Sequence, residues 1–196
     1  MSQIDSLRAN FEAIRARIAA ACQRVGRDPS EVRLLPVSKT VDEARLRAAY
    51  ALGIRELGEN KVQEAQSKSE AMVDLDDLRW VLIGHLQSNK AKHAARFISE
   101  FQALHTNSLA ETLDRRLQME GRAIDVLVQV NTSGEESKFG LPPDEVVDFV
   151  RTLPAYSSLR VRGLMTLAMF SKDESLVRPC FVRLRELRDR LRQEAP

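Results

Sequence analysis

The sequence predicts an α/β protein organised as a (β/α)8 TIM-type barrel with an extra helix in front of it. Three observations point there. Short Val/Ile/Leu-rich runs recur along the chain, each followed by a segment of helical periodicity, and no hairpin turn joins any two of them; that pattern makes parallel strands with crossover helices. The position after the first run reads SKTVDE, without a glycine, where an open dinucleotide-binding sheet would carry GxGxxG. The runs also end on polar residues, which is what the mouth of a barrel displays.

Ile4, Leu7, Phe11, Ile14, Ile18 and Val25 recur at helical spacing before Gly26 and Pro29, which predicts an opening helix over about 3–25 with a glycine stop. The barrel is expected from about residue 32. Its strand-like runs are VRLLPVS, IRELG, RWVLIG, FQALHT, DVLVQVN and VRGLMT. Thr40 with Glu43 reads as a capping box for the helix after the first run, and Gly53 stands where its C′ glycine belongs. Pro142 and Pro143 open the fifth helix and Pro154 closes it. Ser171 with Glu174 repeats the box ahead of the last helix, whose stripe is Val177, Cys180, Phe181, Leu184, Leu187 and Leu191. Six units in a fold that closes with eight predict that the last two strands are absent from this chain, because an unclosed barrel leaves long unpaired edges. Residues 1–196 are expected to form one domain around one core.

Composition narrows the function classes. With 30 Lys+Arg against 28 Asp+Glu the formal charge is only +2, so no global field favours nucleic acid or a lipid surface. The basic run RPCFVRLRELRDRLR alternates apolar and charged residues at helical spacing and includes Glu186 and Asp189, as a solvated helix face does. Cys22 and Cys180 are unclustered and fall on apolar stripes, which predicts buried reduced thiols. No run is apolar enough for a secretory signal or a membrane span, so a soluble cytoplasmic protein is expected.

In parallel βα folds the working residues gather at the C-terminal ends of the strands. Those ends supply Ser38 and Lys39, Glu59 and Asn60, His85 and Gln87, His105 and Thr106, Asn131 and Thr132, and Met165 and Thr166. This polar ring suits a hydrogen-bonding ligand better than a hydrolytic metal centre, for which only His85, His105 and Glu59 are at hand. A lysine enclosed at a strand end loses hydration of its charged form, which frees a neutral amine to add to an aldehyde. The other reading of Lys39 is a side chain whose stem packs on the rim while its ammonium reaches water.

LLPVSKT at 34–40, ELGENKVQEA at 56–65, WVLIGHLQSNK at 80–90, VQVNTSGEESKFG at 128–140 and VRGLMT at 161–166 occur in register along the chain. Together they resemble the pyridoxal phosphate homeostasis protein family, also called the proline synthetase co-transcribed homologues. The resemblance implies the alanine-racemase N-terminal type of barrel, pyridoxal 5′-phosphate as cofactor, and Lys39 as its covalent aldimine partner. Asn60, His85, Asn131 and Met165 match family positions at the barrel mouth; Lys138 reads either as a second amine or phosphate-attracting charge near the entrance or as an exposed loop lysine. In the family the phosphate is held after strands seven and eight, and nothing before Pro196 corresponds to that cradle.

Racemases of this fold pair the lysine with a tyrosine across the cofactor, since removal and return of a proton need two bases. The two tyrosines here, Tyr50 and Tyr156, are not at strand ends. The resemblance therefore implies a carrier in vitamin B6 and amino-acid homeostasis and not an enzyme, acting as a monomer with pyridoxal phosphate-dependent apo-enzymes as recipients. An amino-acid racemase is the alternative; a Schiff-base aldolase and an interaction module are others.

Overall fold

The computed structural model describes residues 3–135 and 138–195. Helix α1 (Gln3–Gln23) precedes an alternation of α2 (Glu43–Ala51), β1 (Glu56–Glu59), α3 (Val62–Ala71), β2 (Arg79–Leu82), α4 (Ala91–Phe97), β3 (Ile98–Leu104), α5 (Asn107–Met119), β4 (Ile124–Gln129), α6 (Val146–Thr152), β5 (Leu159–Met165) and α7 (Glu174–Glu194). The five strands are all parallel and lie in the order β1-β2-β3-β4-β5. Each strand neighbours its predecessor, so the sheet winds one way without the reversal that marks a doubly wound fold. Winding of this kind brings every strand's C-terminal end to one edge.

Five of the expected strands are present. The first, in VRLLPVS, is reduced to one parallel bridge between Val37 and Gly58. Gly58 donates to the Pro36 carbonyl at 2.8 Å and Ser38 donates to the Gly58 carbonyl at 2.8 Å, but Pro36 has no N–H with which to extend the ladder. The expected caps also differ. Thr40 lies in the left-handed region at φ 62°, and its N–H is taken by Glu64, so α2 starts later with Asp42 accepting from Arg45 N at 2.9 Å. Asp173, not Ser171, caps α7 by accepting from Ser175 N. After Pro142 a turn closed by Glu145 N to the Pro142 carbonyl intervenes before α6. Gly53 does follow α2 with φ 90°, the conformation glycine tolerates best.

The main core is a slab between β3, β4 and α5. Ile98, Phe101, Leu104, Val126 and Val128 of the sheet meet Leu109, Leu113 and Leu117, spaced four apart on α5. Burial of each such side chain contributes about 1.5–3 kcal/mol, against about 0–1 for an exposed ion pair, so this slab sets the fold. Ala91, Ala94 and Ala95 are fully buried and let α4 lie close on the sheet. Arg122 donates to the carbonyls of Ala95 and Ile98, groups left over at the end of α4. A second cluster joins Leu46 and Ala49 of α2 to Leu57 and Trp80, with Leu7 and Phe11 of α1 against it.

Ile14 and Val25, expected on the buried stripe of α1, are exposed. Phe181 is likewise exposed, because the buried line of α7 runs through Cys180, Leu187 and Leu191. Cys22 and Cys180 are buried and free. Among the described residues no helix is long and apolar enough to cross a membrane.

The N-terminal edge of the sheet carries a charge belt. Arg33 grips Glu100 through two hydrogen bonds of 2.8 and 2.7 Å and approaches Glu56 at 3.5 Å. Asp125 pairs with Arg160 at 2.6 Å and Arg162 at 3.2 Å. These pairs occupy the end of the sheet opposite the polar ring.

Candidate functional site

The Val37–Gly58 bridge delivers Ser38 to the C-terminal edge, where it is 2% exposed. Its hydroxyl donates to Glu59 Oε1 at 2.6 Å. Lys68, one helix away, donates to the Ser38 carbonyl at 2.6 Å, to Glu59 Oε1 at 2.7 Å and to Glu64 Oε1 at 2.7 Å. Glu64 Oε1 also accepts from Thr40 N at 2.7 Å. The backbone on both sides of Lys39 is thereby fixed, while Lys39 itself is exposed. No hydrogen bond or ion pair engages its ammonium among the described residues. The enclosure expected for Lys39 is not present: adjacent side chains on an extended segment face opposite sides, and Ser38 takes the buried one while Lys39 is exposed.

Lys68 contrasts with it. Burial works to lower its pKa, but the hydrogen bonds to Glu59 and Glu64 outweigh that and hold the ammonium charged above the ordinary lysine value. Glu59 is wholly buried, and its second oxygen, Oε2, has no hydrogen-bond partner among the described residues.

Asn60 follows Glu59 and is half-buried, and its side-chain amide has no partner among the described residues. Gly84 crosses its backbone so closely that a Cβ on Gly84 would lie 2.2 Å from the Asn60 carbonyl oxygen. The neighbouring His85 stacks on Phe139 at 4.2 Å with 9° between the planes, and His105 lies tilted at 5.6 Å from His85. Burial lowers the His85 pKa, and His105 nearby acts in the same direction. His105 Nδ1 lies 2.9 Å from the Ala103 carbonyl, a pairing that assigns the proton to Nδ1 and leaves Nε2 open.

Asn131 is spent on its own loop. Its amide donates to the carbonyls of Glu135 and Lys138, and its oxygen accepts from Ser133 Oγ at 3.2 Å and Gly134 N at 3.1 Å. Lys138 pairs with Glu135 and donates to the Ala168 carbonyl at 3.0 Å, which ties the loop after β4 to the loop after β5. Met165 is half-buried against the main core, and its carbonyl accepts from Val130 N. Beside it the hydroxyls of Thr132 and Thr166 lie 2.8 Å apart.

The six residues expected at the site thus share one edge of the sheet with different vacancies. Lys39 and Asn60 keep free polar groups, His85 offers a ring, and Asn131, Met165 and Lys138 build the wall. Glu136 and Ser137 of the motif around Lys138 lie outside the described residues. Among the described residues no three His, Cys, Asp or Glu side chains come together as a metal site. Sequence reasoning missed Glu64, Lys68 and Phe139. The i,i+4 spacing of Glu64 and Lys68 was a visible signal, but one that most surface helices also show.

The donor set suits an aldehyde. A primary amine with no partner among the described residues stands on a fixed backbone, beside an uncommitted amide, and the Lys68 amine that bonds the Ser38 carbonyl is locked as an ammonium by two carboxylates.

The family described as alanine racemase, N-terminal domain, matches residues 5–196. The pyridoxal phosphate homeostasis protein of Aquifex aeolicus is 39% identical over 178 residues, covering 91% of this chain and 78% of that protein. Its counterpart from Pseudomonas aeruginosa is 37% identical over 178 residues, covering 91% and 77%. The solved structure of PipY from Synechococcus elongatus with PLP bound superposes with a TM-score of 0.79 at 35% identity, covering 93% of this chain and 84% of that one. Alanine racemase from Streptomyces coelicolor, at 20% identity and a TM-score of 0.68 over 94% of this chain and 49% of that one, shares the fold.

Proposed function

The chain belongs to the pyridoxal phosphate homeostasis proteins, a family built on the alanine racemase N-terminal domain, and from that premise we propose that it binds pyridoxal 5′-phosphate covalently at Lys39 and serves as a carrier of that cofactor. The observation that carries the reading is the Lys39 amine, without a partner among the described residues, on a backbone whose neighbours Ser38 and Thr40 are both held by hydrogen bonds. When bound, the cofactor supplies an aldehyde that condenses reversibly with a primary amine, releasing one water. Lys39 presents that amine. Asn60 has donors and an acceptor free for polar atoms of the ligand, and the His85–Phe139 stack walls one side. Asn131 and Lys138 act by holding the loop after β4, and Met165 lines the wall.

A carrier is favoured over a racemase by where the tyrosines lie. Tyr50 donates to Asp77 with the Arg55 guanidinium 3.9 Å over its ring, and Tyr156 precedes β5, so both stand towards the N-terminal edge. Neither shares the C-terminal edge with Lys39. The carrier acts in the cytoplasm as a monomer, with apo-enzymes that need the cofactor as recipients.

The test compares the purified protein with Lys39→Ala in the presence of pyridoxal phosphate. Visible absorption is recorded before and after borohydride reduction, and intact mass afterwards. The expected result is a visible band and a reduction-trapped mass increase in the wild type alone. A band that persists in Lys39→Ala would sink the assignment. Incubation with L-alanine in deuterated water should give no rapid α-deuteration, and rapid exchange would overturn the preference for a carrier over an enzyme.

A further inference from the structure

We propose that Lys68 and Glu64 are positioning residues for Lys39: from α3 they fix the backbone either side of it so that its amine meets the aldehyde in one orientation. The inference rests on the covalent role of Lys39 argued above and adds the apparatus behind it. Among the described residues no hydrogen bond or ion pair holds the Lys39 side chain. Its placement is therefore set by Ser38 and Thr40, and α3 holds both.

The two grips differ in kind. At Ser38 the carbonyl accepts from Lys68, the N–H pairs with Gly58 and the hydroxyl is held by Glu59, so every polar atom of the residue is used. At Thr40 the backbone adopts φ 62°, which a β-branched residue enters only when its surroundings impose it. Glu64 accepts the Thr40 N–H, and Val41 N turns back to the Ser38 carbonyl at 3.0 Å. A tight turn with Lys39 near its apex results.

Glu59 points to the same purpose. A buried carboxylate with one oxygen unpartnered is costly to keep, and Glu59 retains it while its other oxygen serves both Ser38 and Lys68. Lys68 links the pieces: one ammonium joins the Ser38 carbonyl, buried Glu59 and half-exposed Glu64. Engaged in this way, it is unsuited to attack an aldehyde, which reserves that chemistry for Lys39.

The experiment titrates pyridoxal phosphate into wild type, Lys68→Met, Lys68→Arg and Glu64→Ala, following the visible band at a temperature where circular dichroism shows every variant folded. Borohydride trapping and peptide mapping then locate the label. Lys68→Met is expected to raise the half-saturating concentration about tenfold or more, with Lys68→Arg recovering most of the loss. Glu64→Ala, on the surface and harmless to the core, is expected to raise it about threefold or more. Wild-type label should map to Lys39 and not to Lys68. A purely structural role would lower melting temperatures without moving the half-saturation point or the label. Half-saturation within about twofold of wild type in both Lys68→Met and Glu64→Ala overturns the inference while leaving Lys39 as the attachment site. Should Lys68→Met fail to fold, Glu64→Ala decides the question by the same criterion. Absence of a Lys39-dependent band in the wild type overturns both.

Discussion

Replacing Gly84 by alanine adds one methyl group, and the position decides what it costs. The new Cβ would stand 2.2 Å from the Asn60 carbonyl oxygen and 2.9 Å from both the carbonyl carbon and Cα of Asn60. Ordinary contact is at about 3.5 Å, so a separation of about 1 Å has to be found between two backbones. Little can yield. Ile83 N donates to the Glu59 carbonyl at 2.9 Å, and the Glu59 side chain is held by Ser38 and Lys68. Overpacking of this sort costs about 1–3 kcal/mol, which for a chain of this size lowers the melting temperature by about 2–4 °C per kcal/mol. Urea unfolding of Gly84→Ala should show a lower midpoint with an unchanged slope. Gly163→Ala is the control: there the nearest atom is Leu127 Cδ2 at 3.8 Å, an ordinary contact. It should stay within about 0.5 kcal/mol of wild type. A Gly84→Ala protein as stable as wild type, or a Gly163→Ala protein equally weakened, would refute the close-approach reasoning.

The charge belt and the ring cluster give two further expectations. Burial acts to raise the Glu100 pKa, but the hydrogen bonds from Arg33 and Gln102 outweigh it and hold the carboxyl below its ordinary range. A depressed folded value stabilises above the unfolded pKa of about 4.3 and is lost as pH falls through the folded one. Glu100→Gln should therefore lose about 1–2 kcal/mol at pH 7, discounted because Arg33 is partly exposed, and that deficit should vanish in acid; urea midpoints from pH 7 to 3 measure it, and a pH-independent deficit would contradict the assignment. His85 is held below the ordinary imidazole value, so the unfolded chain binds its proton first and folding weakens as pH falls through about 6.5. Phe139→Ala uncovers the ring and should raise the His85 midpoint read by NMR titration; an unchanged midpoint would show that the stack is not the cause.

Local pattern made most of the architecture legible. Five apolar runs became the five strands because each is short, rich in Val, Ile or Leu, and separated from the next by helical periodicity, signals that depend on near neighbours in sequence. The first run misled because Pro36 truncates a ladder that VRLLPVS otherwise promises. The capping boxes misled for a related reason. Thr40 has the right residue type for an N-cap, but its conformation is set by Glu64, 24 positions away.

The sequence by itself determined the order of the βα units and placed Lys39 at the end of one apolar run, Asn60, His85, Asn131 and Met165 at the ends of others, and Lys138 in the loop beyond Asn131. A parallel sheet then brings all of those ends to one edge, whatever the details of packing. Only the tertiary structure decided which of these groups are free. Asn131 is consumed by its own loop, Lys138 by Glu135 and Ala168, and Lys68 by two carboxylates, while Lys39 and Asn60 keep theirs. Periodicity reports which face of an element is buried. The partners chosen by a polar side chain depend on distances between elements far apart in the chain, such as the 30 positions from Ser38 to Lys68, and those distances exist only after folding.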